Sequence, residues 1–418
     1  MSELFEVRLV SSKGTLAALD TGQRLYLLLE LRPSQKRERA QPLNLALVVD
    51  CSTSMQGGRL AQVKAATTSI LDELAADDLL SVVAFNDRAH VVRPADTLEN
   101  KATVSRRIHN IVAEGGTEIF QGLAAAMKQL SHAPLKAYTN HLILLTDGHT
   151  YGDEALSLKA VRAAAERGIG LTALGIGADW NERFLDELVM PSGGQSAYLA
   201  DLGQLTKELR RRVRGLGQVY ASNVRLLHRS GDGVTLEAAF KVRPFVQPLL
   251  VGTEQTGLGQ VEQDGALTVL LEFVIPPRPE GATVTIPLAF VADVPAQGET
   301  ARGVPAAEKR VTVPIKAESV AGPPPKSIVE AVRLLNFHRM TEKAWDDYEA
   351  GNVERATRRM EQLTTRLQEA GYTRLAGQMQ DETRRLASKG TMSAEGRKQL
   401  HFGTRVLLPS TVDLERES

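Results

Sequence analysis

Short apolar runs alternate with stretches of helical periodicity between about residues 43 and 215. The runs have the length and character of strands covered on both faces: Leu43–Val49, Leu79–Phe85, His141–Thr146, Gly170–Ile176 and Ser196–Leu199. Between the runs, apolar side chains recur at helical spacing, as in Leu60, Val63, Thr67, Ile70, Leu71 and Leu74 and in Ile119, Leu123, Met127 and Leu130. This alternation predicts an α/β domain with a doubly wound, mostly parallel sheet. Ala89–Arg93 is predicted to be an edge strand that ends at Pro94.

Strand-like segments without intervening helices lie on both sides of this domain. Two precede it, Phe5–Val10 and Leu25–Leu31. Six follow residue 218: Ser222–Leu227, Val234–Phe240, Pro248–Gly252, Leu267–Phe273, Thr283–Phe290 and Arg310–Ile315. Because two isolated strands are marginally stable in water, the first pair needs further strands. We expect one β-sandwich into which the α/β domain is inserted, with two separate β units as the alternative.

The last part of the chain has helical periodicity after the proline-rich segment AGPPPKS at 321–327. The helical pattern continues to about residue 402 and is interrupted at Gly371 and Gly390. It predicts a helical hairpin or a small bundle. The Arg and Glu residues through 354–385 are expected to form its solvated face, with a docking surface as the alternative.

These patterns divide the chain into five parts. Residues 1–40 are predicted to give the first strands of the β-sandwich, and residues 41–218 the α/β domain. Residues 219–320 would complete the sandwich, residues 321–404 would form the helical domain, and residues 405–418 would be a tail.

Composition and charge narrow the classes of partner. The chain has 50 Lys and Arg residues and 50 Asp and Glu residues, so no overall positive field attracts nucleic acid or an anionic membrane. No uninterrupted apolar stretch approaches the ~20 residues of a membrane span. The start, MSELFEVRLV, contains Glu3 and Glu6 and no apolar run like that of a signal peptide, which predicts a cytoplasmic protein. A single cysteine excludes an internal disulfide and a cysteine-based zinc cluster, so oxygen ligands would have to hold a metal.

Carboxylates and hydroxyls follow two of the predicted strands and precede one of the predicted helices. Asp50, Ser52 and Ser54 follow the first strand in NLALVVDCSTSM, Thr117 lies in EGGTEIFQG, and Asp147 ends the strand in LILLTDGHTYGD. Because open α/β sheets bind ligands at the carboxyl edge of their strands, we expect these five oxygen donors to converge there. Hydroxyls with two carboxylates suit a hard cation, Mg²⁺ or else Mn²⁺ or Ca²⁺, and leave a coordination position open.

Some of these residues have a structural alternative. Asp50 and Asp147 could cap helices, since Asp is a favoured N-cap residue. His149, Tyr151 and Asp153 could support the metal site or touch a partner, or they could be ordinary exposed loop residues. Cys51 is expected to be a buried small residue, because the neighbouring carboxylate disfavours a reactive thiolate.

The pattern DxSxS…T…D resembles that of a von Willebrand factor A domain, a Rossmann-like α/β fold with a metal-ion-dependent adhesion site. The matching residues are Asp50, Ser52, Ser54, Thr117 and Asp147, and the segments LSVVAFND and ALGIGADWNERFLDEL stand in the expected order. The resemblance implies that the hydroxyls contact the cation directly or through water and that the two aspartates often act through bridging water. It also implies that an acidic residue of a protein partner completes the coordination shell.

The whole domain plan resembles the inter-alpha-trypsin inhibitor heavy chains and the inner-coat subunits of vesicle transport. Both combine an A domain with a β-sandwich, and the coat subunits add a helical domain. The heavy chains are secreted, and the coat subunits carry a zinc ribbon that one cysteine cannot supply. Some intracellular proteins with A domains work beside AAA+ ATPases, kinases or phosphatases, so the resemblance implies an associate of that kind.

Enzyme signatures are missing from the sequence around these residues. There is no GxxxxGK[ST] phosphate loop and no GxSxG elbow, and DCSTS stands where a dinucleotide-binding fold has its glycines. We therefore expect a non-enzymatic, cation-dependent protein-binding module that acts as an intracellular adaptor or assembly factor. The alternatives are a metal-dependent phosphatase or hydrolase with Asp50 as nucleophile, and a secreted adhesion protein.

Overall fold

The fold was obtained as a computed structural model of the chain. The structure describes residues 3–36, 41–148, 150–177, 180–199, 202–228, 233–296, 299–318 and 322–407. No helix in this part of the chain is both long enough and apolar enough to cross a membrane.

The first half of the chain contains three strands followed by the α/β domain. The three strands are β1 (Phe5–Ser11), β2 (Leu16–Ala17) and β3 (Gln23–Pro33). The strands of the α/β domain are β4 (Leu43–Asp50), β5 (Leu79–Phe85), β6 (Ala89–Thr97), β7 (Thr139–Thr146), β8 (Gly170–Ile176) and β9 (Gln195–Leu199). Its helices are α1 (Gly58–Ser69), α2 (Lys101–His109), α3 (Ile119–Leu130), α4 (Glu154–Glu166), α5 (Glu182–Val189) and α6 (Leu205–Leu216).

The sheet of the α/β domain has the order β6-β5-β4-β7-β8-β9 and is parallel except for β6. Its central strands are buried along their whole length because helices cover both faces. The predicted doubly wound, mostly parallel sheet is therefore confirmed.

The edge strand β6 does not end at Pro94, as the sequence predicted, but continues to Thr97. The pairing register with β5 shifts between Arg93 and Asp96, so Pro94 lies in a bulge where its missing N–H costs no ladder hydrogen bond. The buried Arg93 guanidinium stabilises the bulge, donating to the carbonyl oxygens of Asp96 at 3.0 Å and Thr97 at 2.7 Å.

The remaining strands form a β-sandwich together with the first three. These strands are β10 (Val219–His228), β11 (Thr235–Arg243), β12 (Gln247–Leu249), β13 (Gln255–Glu262), β14 (Leu267–Ile275), β15 (Thr283–Ala296) and β16 (Glu299–Lys316). One sheet has the order β1-β3-β14-β11-β12 and the other β13-β10-β15-β16-β2. Since β3 pairs with β14 from Gln23 opposite Ile275 to Leu31 opposite Leu267, the α/β domain is inserted into a single sandwich.

The described residues after the sandwich form four α-helices: α7 (Lys326–Glu349), α8 (Val353–Glu369), α9 (Thr373–Lys389) and α10 (Ala394–Gly403). The bundle packs on the outer face of the first sheet, where Leu28 and Phe240 share one apolar cluster with Leu334 and Phe337. This packing explains why β3 is apolar on both faces, since its alternate leucines face the core of the sandwich.

The last helix, α10, contacts the α/β domain through buried charged groups. Lys398 Nζ lies 2.5 Å from Glu182 Oε2 and sits over the ring of Trp180, and His401 Nε2 lies 2.7 Å from Asp186 Oδ2. Arg405 forms a second ion pair with Asp186. The helical bundle therefore contacts both other domains.

Candidate metal centre

The carboxylate of Asp50 is held at the end of the central strand β4. Asp50 is fully buried, and the backbone N–H of Ser52 donates to its Oδ1 at 2.8 Å. The hydroxyl of Thr146, at the end of the neighbouring strand β7, donates to its Oδ2 at 2.6 Å. These two hydrogen bonds fix the orientation of the carboxylate at the carboxyl edge of the sheet.

The turn after β4 brings the two serine hydroxyls to Asp147. Residues Thr53–Met55 form a single turn of 3₁₀ helix, which places Ser52 Oγ 2.9 Å from Ser54 Oγ. The Ser54 hydroxyl in turn donates to Asp147 Oδ1 at 2.7 Å. Ser52 and Asp147 are buried and Ser54 is exposed, so the cluster opens to solvent on the side of Ser54.

Thr117 lies at the cluster on the other side of Gly148 from Asp50. A Cβ atom on Gly148 would lie 3.4 Å from Thr117 Oγ1 and 3.9 Å from Asp50 Oδ2, so the hydroxyl and the carboxylate flank the same point. All five residues predicted from the sequence therefore lie at one edge of the sheet.

The loop after Asp147 positions Thr117 by capping helix α3, which begins two residues later. The backbone N–H of Ile119 donates to Thr150 Oγ1 at 3.0 Å, and that of Phe120 donates to Asp153 Oδ2 at 2.6 Å. The N–H of Tyr151 donates to the carbonyl oxygen of Thr117 at 3.1 Å. Buried Asp153 thus supports the site.

Asp153 is one of three loop residues singled out from the sequence, and the other two are His149 and Tyr151. The side chain of Tyr151 is 74% exposed and stands beside the site, and His149 lies outside the described residues. Sequence reasoning missed Thr150. The pair Thr150 and Asp153 has the spacing of a capping box, but the helix that it caps is α3, which precedes it in the chain.

The two aspartates place negative charge in a buried position. Burial raises the pKa of Asp50, the hydrogen bonds from Thr146 and Ser52 lower it, and the neighbouring Asp147 carboxylate raises it again. A cation beside these groups would favour their ionised form. Cys51 is buried with its Sγ 3.2 Å from the carbonyl oxygen of Phe85, and burial raises its thiol pKa to about 11, so no thiolate contributes to the site.

A positively charged side chain also reaches the site. Arg59, at the start of α1, places Nη1 2.7 Å from Asp147 Oδ2, and its side chain is 33% exposed. Sequence reasoning missed this residue, because nothing in its spacing distinguishes it from a solvated arginine on a helix. The guanidinium stands where a cation would interact with Asp147.

The donor atoms fit a hard divalent cation. Hydroxyl and carboxylate oxygens are the ligands of Mg²⁺, Mn²⁺ and Ca²⁺. In the described residues no cluster of three or more His, Cys, Asp and Glu side chains is arranged to hold a metal. A cation at this edge would therefore rely on hydroxyls together with the two aspartates.

Comparison with known proteins assigns the class of the α/β domain. Residues 44–212 match the family model of the von Willebrand factor type A domain, so the α/β domain is a von Willebrand factor A domain. Residues 326–410 match the family model of the Sll0103-like, C-terminal alpha-helical domain.

Two relatives illustrate how far the similarity extends. The uncharacterized protein sll0103 of Synechocystis is 29% identical over 300 residues, which cover 70% of this chain and 71% of that protein. The inter-alpha-trypsin inhibitor heavy chain H4 of Sus scrofa is 33% identical over 168 residues, or 37% of this chain and 18% of the heavy chain. The likeness to the heavy chains is thus limited to a small share of their length.

Two solved structures resemble the fold over most of this chain. A von Willebrand factor type A protein from Catenulispora acidiphila superposes with a TM-score of 0.78 at 18% identity, covering 96% of both chains. The human COPII-coat protein Sec24c superposes with a TM-score of 0.51 at 13% identity, covering 88% of this chain and 58% of that one. At these identities the likeness concerns the fold alone.

Proposed function

We propose that this chain is a non-enzymatic protein-binding module whose A domain takes an acidic side chain of its partner at a divalent cation. The observation that carries the proposal is the convergence of three hydroxyls and two carboxylates on one edge of the sheet, open to solvent at Ser54. A cage with only two carboxylates leaves a divalent cation with residual positive charge.

The residues of the cage have separate tasks. Ser52, Ser54 and Thr117 would supply neutral oxygen ligands, and Asp50 and Asp147 would balance part of the charge, directly or through water. When bound, Mg²⁺, Mn²⁺ or Ca²⁺ supplies a Lewis-acidic position for a carboxylate of the partner. Asp50 keeps its orientation through Thr146 and Ser52, so the cage is preformed in the fold.

The surroundings of Asp50 favour binding over hydrolysis. Among the described residues, the groups that hydrogen-bond its carboxylate are the Thr146 hydroxyl and the amide and hydroxyl of Ser52, and none of them is a general acid or base near neutral pH. These contacts support a structural and metal-binding role for the carboxylate.

The test is capture of partners from the source organism in Mg²⁺ and in EDTA, with wild type beside Asp50→Ala and Thr117→Ala. We expect a partner that is retained by wild type in Mg²⁺ and lost in EDTA and in both variants. Binding should weaken by on the order of 2 to 4 kcal/mol if the metal contact is a hot spot. The captured proteins would also show whether an AAA+ ATPase, a kinase or a phosphatase is the associate.

The matched control is Thr53→Ala. Thr53 lies between the two cage serines, but its exposed hydroxyl donates to the carbonyl oxygen of Gly115 at 2.9 Å. This variant should bind the partner like wild type. A partner held equally by every protein, with or without EDTA, would exclude the metal centre as the binding site.

A further inference from the structure

A cavity of about 250 Å³ lies between the A domain and the β-sandwich. On the A-domain side it is lined by the first residues of β7 and β8, including His141 and Gly170, and by Arg212 of α6. On the sandwich side it is lined by Lys241 of β11 and by β13. The amino ends of parallel strands form this wall, so the cavity is at the opposite edge of the sheet from the metal centre.

The two domains meet beside the cavity through glycine backbone. A Cβ atom on Gly193 would lie 2.4 Å from Gly259 N, and one on Gly259 would lie 2.6 Å from Gly193 O. Both residues also have positive φ values, 62° and 103°. Only glycine allows this close approach, which fixes the separation of the domains and the dimensions of the cavity between them.

Lys241 brings a buried amino group without a carboxylate partner among the described residues to the cavity. The residue is 2% exposed, and Nζ donates one hydrogen bond, to Gly193 O at 2.6 Å. No carboxylate pairs with it in the described part of the chain, and its other nearby group is the ring of Phe245, 4.6 Å away. Burial lowers its pKa to about 7. In its protonated form this amino group has two further donors in a buried position, and an anion beside it would stabilise that form.

Arg212 adds a second buried donor. Its side chain is 8% exposed, and it bonds Gln195 Oε1 at 2.7 Å and Glu208 Oε1 at 2.7 Å. Its Nε is buried and has no hydrogen-bond partner among the described residues. Glu208 pairs with both Arg211 and Arg212, and Glu262 of the cavity wall also interacts with Arg211, so two carboxylates balance the two arginines. Among the described residues, Lys241 is then the basic group of the wall that no carboxylate balances.

We propose that this interdomain cavity binds a small organic anion. The oxygen atoms of a carboxylate or phosphate group accept from Lys241 Nζ, and the body of the molecule occupies the part of the cavity lined by apolar side chains such as Leu216, Val261 and Phe245. Because residues of both domains line the cavity, such an anion contacts the A domain and the sandwich at once. No metal is needed at this site.

The test uses the full chain and probes that differ in charge and size. Benzoate and phenyl phosphate combine an oxyanion with an apolar body, benzamide has the same body without the charge, and inorganic phosphate has the charge without the body. We expect both organic anions to raise the thermal unfolding midpoint and to bind in calorimetry, with or without EDTA. Benzamide should have no effect, and inorganic phosphate should bind at least tenfold more weakly.

Variants of the cavity wall test which residues bind the anion. Lys241→Met should weaken benzoate binding at least tenfold, and Ala266→Phe, which fills the cavity from its rim without removing the lysine, should abolish it. Arg210→Met is the control for a basic residue near the cavity, since Arg210 lies on α6 with Arg212 but pairs with Glu73 and does not line the cavity. If Lys241→Met does not fold, the benzoate affinity of Ala266→Phe alone tests whether the anion binds in the cavity.

Three results would overturn the proposal. One is the absence of any effect of the two organic anions on wild type. Another is equal stabilisation by benzamide and benzoate, which would mean that charge is not recognised. The third is unchanged benzoate affinity in both Lys241→Met and Ala266→Phe, which would place the bound anion elsewhere. Because EDTA is one of the conditions, failure here is distinguishable from failure of the metal-centre proposal.

Discussion

The guanidinium of Arg59 lies 2.7 Å from the carboxylate of Asp147, within the cluster that we propose as a cation cage. A divalent cation that draws charge from Asp147 must compete with this ion pair. Arg59 therefore sets part of the free energy of metal binding, although it cannot be a metal ligand itself.

We expect Arg59→Ala to bind Mn²⁺ roughly two- to fivefold more tightly than wild type, because a partly exposed ion pair contributes about 0.5–1 kcal/mol. Calorimetry and Mn²⁺ relaxation measure the affinity directly. Arg59→Lys keeps the charge and should behave like wild type. A weaker affinity in Arg59→Ala would mean that the arginine supports the cage instead of competing for it.

Removing the hydroxyls should abolish metal binding without unfolding the domain. The double variant Ser52→Ala, Ser54→Ala lacks two of the three neutral ligands, and we expect no measurable Mn²⁺ binding by calorimetry. Its circular dichroism spectrum should match that of wild type, and EDTA should leave wild type folded, because the core of the sheet is apolar. Unchanged affinity in the double variant would refute the proposed ligand set.

The buried Lys241 should make the free energy of unfolding depend on pH. Burial lowers its pKa from 10.5 to about 7, so the unfolded chain holds the proton over a range in which the folded protein has released it. The free energy of unfolding therefore rises with pH between those two values. We expect wild type to gain on the order of a few kcal/mol relative to Lys241→Met between about pH 7 and about pH 10. Urea unfolding in buffers without organic anions measures this difference, and parallel curves for the two proteins would contradict it.

The contact of α10 with the A domain can be tested with a double-mutant cycle. Lys398→Met leaves Glu182 buried without its partner and should cost roughly 3–5 kcal/mol of stability. Lys398→Met combined with Glu182→Met should recover most of that loss, since both charges are then absent. Urea unfolding of the four proteins gives the coupling energy. Additive losses would show that the two groups do not interact.

Features that depend on local sequence were predictable. Strands β4, β5, β7 and β8 are apolar on both faces, so their positions could be read from the sequence. Their polar ends, Asp50 and Asp147, then placed the candidate site at one edge of the sheet. The strand β13 was missed because Gly257 and Gly259 interrupt its pattern, and the reason for those glycines is a contact with another domain.

Features that depend on contacts between distant segments could not be predicted. Arg59, Lys241 and Lys398 are three basic residues with no distinguishing local pattern, but one reaches the candidate metal site and two are buried at domain contacts. A single sequence records that a residue is charged. It does not record which remote backbone or carboxylate surrounds it after folding.

The pairing of β3 with β14 also has a consequence for synthesis on the ribosome. Leu31 cannot meet Leu267 until the whole A domain between them has been made, so the earlier strand emerges with no partner for its two apolar faces. The A domain has its own core and can fold during this interval, since domains generally fold as units during synthesis. An early folded insert shortens the span of flexible chain that the ends of the sandwich must later close, which lowers the entropic cost of that long-range pairing.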